Sequence, residues 1–161
     1  MPNVLILAYG NPMRCDDGIA WRAADALAPK FSEAEVEIHR LHQLTPELAD
    51  TVRNFGTVIF VDAAACAGSQ DKPGTIRLEE IRGVASEPVR FSHVLSPKKV
   101  LDLAFQLYVA SPGAFVITVA GENFGHGDSL SAPVASALPE LVARIERLVE
   151  NSNPGTTKDT K

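Results

Sequence analysis

Cysteine is scarce in this sequence: Cys15 and Cys66 are the two it has, far apart and not in a C-x-x-C pair. Such spacing in a chain without a targeting segment predicts free thiols rather than a disulfide framework. Long apolar runs are missing as well. None reaches the roughly 18 residues that a membrane-spanning helix needs. No basic cluster offsets the formal net charge of −5, which argues against broad binding to nucleic acid or to an anionic membrane. The N-terminus lacks the basic segment and cleavage site of a signal peptide, so a cytoplasmic location is expected. The G-x-G-x-x-G of a dinucleotide fold and the H-E-x-x-H of a zinc peptidase are both absent. Ser92 has no G-x-S-x-G setting, which disfavours a serine hydrolase. Internal repeats are also lacking.

What is present is the composition of an ordinary globular protein, 161 residues with 45% hydrophobic and 22% charged. That length suits one domain burying roughly 70% of its unfolded surface. We place a single α/β domain at residues 1–150 and expect the polar stretch 151–161 to be a disordered tail. Val4 to Ala8 and Thr57 to Val61 are continuous apolar runs, as strands buried on both faces require. Asp62 is expected to close the second. Ala114 to Val119 reads as a third buried strand, Val36 to about Leu41 as a half-exposed one, and Thr75 to Ile81 as an edge strand. Helices are expected from about Gly18 to Leu27, from Thr45-Pro46 to near Asn54, from Ser96-Pro97 to about Tyr108, and from Pro133 to Glu150. Pro139 should kink or break the last of these. Alternating strands and helices predict a three-layer α/β sandwich, with a twisted, mostly parallel sheet of about five strands.

The most informative segment is Gly10-Asn11-Pro12-Met13-Arg14-Cys15-Asp16-Asp17-Gly18. It delivers two carboxylates just beyond the first strand, at the edge where open α/β sheets bind ligands. A phosphate would be repelled there and a cation attracted. Asp62, at the end of another parallel strand, falls on the same rim, and His93 lies in the loop before a helix. Two carboxylates and an imidazole suit a borderline divalent ion such as zinc, nickel, cobalt or manganese, with coordination positions left open for substrate or water. Each residue also has a plainer use. Asp16 reads foremost as a helix cap, Asp17 equally as cap or ligand, and Asp62 as a partner of the turn after it. His93 alone reads as a surface or core-edge histidine. His39 and His42 fall on opposite faces of a strand. His126 sits in a glycine-rich turn, and Cys15 and Cys66 have no local base to activate them.

Gly10-Asn11-Pro12-Met13 with Asp16-Asp17-Gly18, then Ile59-Phe60-Val61-Asp62-Ala63, then Ser92-His93, resembles the nickel–iron hydrogenase maturation endopeptidases. Gly121, Gly127-Asp128-Ser129-Leu130-Ser131, Val134 and Ala137-Leu138-Pro139 are similar to that family's closing segment. The resemblance spans Val4 to about Val149 in order and spacing. It implies a twisted sheet flanked by helices and removal of a C-terminal extension from the hydrogenase large-subunit precursor, the partner, after nickel insertion. It also implies Asp17, Asp62 and His93 as the metal-contacting and catalytic residues. Nickel would be presented by the precursor, and the protein is expected to act as a monomer. His42-Gln43-Leu44-Thr45-Pro46-Glu47-Leu48 resembles the variant associated with soluble, cofactor-linked or bidirectional hydrogenases. Ala20 and Cys15 depart from the usual pattern without touching a presumed ligand.

On this reading a bound ion polarises the scissile carbonyl and acidifies water, or Asp16 or Asp17 acts as general base. Because His93 must be unprotonated to ligate, metal affinity should weaken as pH falls through roughly 6. A non-catalytic nickel-sensing chaperone or scaffold would need the same three residues, and a metal-dependent small-peptide peptidase is a further alternative.

Overall fold

In the computed structural model, which describes residues 2–66, 70–85 and 95–153, strand β1 (Val4–Tyr9) sits inside the sheet. Its apolar residues alternate between two layers of core. Val4, Ile6 and Ala8 pack on one side with α1 (Ile19–Leu27) and α4 (Ala132–Ser152). Leu5 and Leu7 pack on the other with α2 (Leu48–Val52) and α3 (Pro97–Tyr108). Strand β3 (Thr57–Ala65) divides likewise, Ile59 and Val61 facing one layer, Val58 and Phe60 the other. The period-two geometry of a strand explains why Val4–Ala8 and Val58–Val61 are apolar at every position.

The remaining strands are β2 (Val36–Leu41), β4 (Ile76–Ile81) and β5 (Gly113–Gly121). Among the described residues they form one five-stranded sheet of order β2-β1-β3-β5-β4. All neighbours are parallel except β4, which runs antiparallel to β5 at the edge. The three-layer α/β architecture expected from the sequence is thus observed. Among the described residues no helix is long and apolar enough to cross a membrane.

Several boundaries differ from expectation for identifiable reasons. Asp62 does not close its strand, because β3 continues to Ala65 along β5. Helix α2 starts at Leu48 rather than at Pro46. The amides of Leu48, Ala49 and Asp50 bond three residues back, to Thr45, Pro46 and Glu47, in tight turns, and the Thr45 side chain bonds to Glu47 instead of capping. Ser96 does cap α3, its Oγ accepting from the Lys99 amide at 3.2 Å. Helix α4 passes through Pro139 unbroken and ends at Ser152, two residues into the expected tail. Pro139 and Ala135, whose carbonyl loses its helical partner, lie on the exposed face, where water can replace the missing bond. Leu141, Val142 and Ile145 hold the other face to the sheet. Residues 154–161 lie outside the described residues.

Candidate active site

The chain leaves β1 toward β2 on one side and later returns to form β3 on the other. The connections at the carboxyl ends of β1 and β3 therefore diverge, opening the crevice in which α/β sheets place ligands. Pairing of β1 with β3 ends at Ala8 and Val61. Asp62 is the next residue. It remains paired to Thr118 of β5, but β1 no longer runs as a ladder beside it. This is how a carboxylate sits inside a strand without being sealed in the core, and Asp62 is only partly buried.

Asp17 reaches the crevice from the turn after β1. Gly10 takes φ +145°, and a Cβ there would lie 2.2 Å from the Asp17 carbonyl oxygen, so the turn depends on glycine's bare Cα. The Asn11 amide then donates to Asp17 Oδ2 at 2.7 Å. Cys15–Gly18 forms a 3-10 turn leading into α1, and no side chain caps either helical segment.

Asp62 accepts from the Ala63 amide at 2.7 Å and from the Tyr9 side chain. Burial pushes its carboxyl up to about 7. The Ala63 amide opposes the rise, the negative charge of Asp17 adds to it, and the Tyr9 hydroxyl opposes it again. Burial, then the Asp62 charge and the hydrogen bond to it, hold Tyr9 protonated far above the usual phenol range. A carboxylate whose ionisation is disfavoured by burial and by a neighbouring negative charge is a place where a cation is favourable.

Asp16, in contrast to half-buried Asp17, is fully buried. Its Oδ2 accepts from the Glu122 amide, the Asn123 amide and Ser131 Oγ, each at 2.9 Å. Its Oδ1 accepts from the Ser131 amide at 2.7 Å. Burial alone would raise its pKa, but these bonds outweigh it and hold the carboxyl below the usual range. Asp16 therefore neither caps its own helix nor is free to act as a general base.

His93 lies outside the described residues. Leu95, two residues on, is buried in the α2–α3 layer. Because α3 ends a short connection before β5 begins, its start lies toward the carboxyl-end rim. Among the described residues no three His, Cys, Asp or Glu side chains are grouped so as to hold a metal ion. His39 sits beside Glu37 at 3.5 Å on β2, while His42 lies beyond the strand and packs on Trp21, ring centroids 5.2 Å apart. His126 is exposed in the turn between β5 and α4. Cys15 and Cys66 are free thiols. Burial raises the Cys66 pKa, and Asp71, Glu122 and Asp16 raise it further, so that thiol is a poor nucleophile.

Solved structures with this architecture are informative. The hydrogenase maturating endopeptidase HybD from E. coli superposes with a TM-score of 0.73 over 94% of each chain, at 22% identity. The chain has the fold of a hydrogenase maturation endopeptidase. The [NiFe] hydrogenase maturation protease HybD from Thermococcus kodakarensis gives 0.66 at 23% identity, over 92% of this chain and 99% of that one. HycI, a second such protease from the same organism, gives 0.68 at 16% identity, over 92% and 93%. No protein-family model matches the chain, and no curated protein does either.

Within this maturation-endopeptidase fold, Tyr9 is the residue that sequence reasoning missed. The signal available was its position: the last residue of a buried apolar strand, polar at its tip, on the face shared with Leu5 and Leu7.

Proposed function

We propose that the protein is a nickel-dependent endopeptidase that removes the C-terminal extension of a nickel-loaded nickel–iron hydrogenase large-subunit precursor. The observation that carries this reading is the pairing of Asp17 and Asp62 at the switch point of a fold shared with maturation endopeptidases. Nickel arrives as part of the substrate. Asp17 and Asp62 contact it with carboxylate oxygens, and His93 supplies a neutral nitrogen, a donor set suited to nickel. Held there with the substrate, the ion would polarise the scissile carbonyl and acidify water. With Asp16 committed to four hydrogen bonds, any carboxylate that takes a proton from that water is Asp17 or Asp62.

The test compares cleavage of a nickel-loaded precursor by the wild-type chain and by Asp17→Asn, Asp62→Asn and His93→Ala. We expect all three variants to remain folded and to lose processing. Normal cleavage by any one of them would remove that residue from the site.

A further inference from the structure

Deepening that reading, we propose that Asp16 is the positioning residue of the site: by clamping the loop between β5 and α4 it fixes the turn that aims Asp17. The two aspartates are adjacent on one 3-10 turn and have different partners. The Asp17 carboxylate faces the crevice, and the Asp16 carboxylate faces inward with no exposure. Within the turn the Arg14 amide donates to the Asn11 carbonyl at 3.0 Å and the Asp17 amide to the Arg14 carbonyl at 3.1 Å, while the Cys15 and Asp16 amides find their partners outside it. Cys15 takes φ +50°, a conformation that a residue with a Cβ adopts only when its surroundings enforce it.

The enforcing partner is the segment 122–131. Its Gly127 carbonyl accepts from the Cys15 amide at 2.8 Å, and its Asn123 carbonyl accepts from the Asp16 amide at 2.9 Å. The Gly127 amide returns a bond to the Met13 carbonyl at 2.9 Å. The Arg14 guanidinium adds two bonds to the Phe124 carbonyl at 3.1 and 3.2 Å. Asp16 gathers these contacts, because its carboxylate takes the first two amides beyond β5 and both donors of Ser131 before α4. The approach is close enough that a Cβ on Gly121 would lie 2.9 Å from the Asp16 Cβ. Asp17 follows Asp16 directly, so displacing one displaces the other.

The Asn11 amide reports on this arrangement without any assay of function, since it donates to Asp17 Oδ2. Asp16→Asn replaces one accepting oxygen with an NH2 that faces N–H donors. Ser131→Ala removes a single bond and leaves the carboxylate in place. Amide hydrogen exchange is measured on the metal-free full-length chain, with the amides of Leu5 to Ala8 as the reference for global opening. We expect Asp16→Asn to lose at least tenfold of the protection at Asn11 while β1 stays protected, and Ser131→Ala to lose a smaller share. Nickel(II) titration of the same proteins well below their melting temperatures should show at least tenfold weaker binding for Asp16→Asn. A residue serving stability alone would lower the melting temperature and leave both readouts of the folded molecule unchanged. Should Asp16→Asn not fold, Ser131→Ala decides. Unchanged Asn11 protection in every folded variant would overturn the proposal. A wild-type chain that cleaves no precursor while Asp16→Asn still frees Asn11 would overturn the protease reading and leave the positioning role standing.

Discussion

Tyr9, the last residue of β1, bonds through its phenolic hydroxyl to Asp62, the first residue of β3 beyond the β1–β3 ladder. The contact spans the point where the two strands part and links the crevice wall to its carboxylate. Tyr9→Phe removes one hydrogen bond to a group that becomes charged, an interaction worth about 1.5–3 kcal/mol. The hydroxyl lowers the Asp62 pKa, so its loss should move the acidic limb of processing to higher pH and slow the rate near neutrality about tenfold. A pH–rate profile that superposes on wild type would show that Tyr9 only packs.

Asp62 also makes the free protein sensitive to pH. Its folded-state pKa of about 7 lies above the unfolded value of 3.8. Between those values the folded state binds more protons, so the favourable contribution is complete at acid pH and is lost as pH rises through 7. Asp62→Asn should therefore melt at a higher temperature than wild type at pH 8 without metal, and the gap should close near pH 4. The same variant should process nothing. A melting difference that does not change with pH would contradict the burial and charge argument.

Nickel binding should separate the two aspartates. Asp17→Asn keeps a side chain able to accept from the Asn11 amide, so the turn survives while the charge is lost. It should weaken nickel(II) binding at least tenfold with little change in melting temperature, as titration calorimetry alongside thermal unfolding would show. Undiminished binding would place the cation elsewhere.

Gly10→Ala tests the turn from the other side. The added methyl meets the Asp17 carbonyl at 2.2 Å, in a backbone conformation of φ +145°. Strain of that kind costs about 1–3 kcal/mol, so thermal unfolding should show a clear loss of stability, with nickel affinity reduced as well. A fully stable, fully active Gly10→Ala would mean that the turn has room the geometry denies.

Much of the fold was legible because Val4–Ala8 and Val58–Val61 are apolar at every position and Ser96-Pro97 marks the start of α3. Local pattern also pointed to Asp17 and Asp62. It could not show that β3 outlasts β1, because that depends on its ladder with β5, so Asp62 was expected to end its strand. Nor could it separate Asp16 from Asp17. The partners that bury Asp16 lie more than 100 positions along the chain, and no local spacing encodes them. Tyr9 was missed for a similar reason, since its hydroxyl finds its acceptor across the sheet. The continuity of α4 through Pro139 rests on which face met the solvent, a property of the packed molecule.

The most direct test of the central claim is the intact mass of a hydrogenase large-subunit precursor after incubation with this protein, with and without prior nickel loading. The account predicts loss of a C-terminal peptide from the nickel-loaded form and an unchanged mass without nickel. Equal cleavage of both forms would contradict nickel recognition. Stable binding of the loaded form with no cleavage would contradict the protease itself and favour a chaperone.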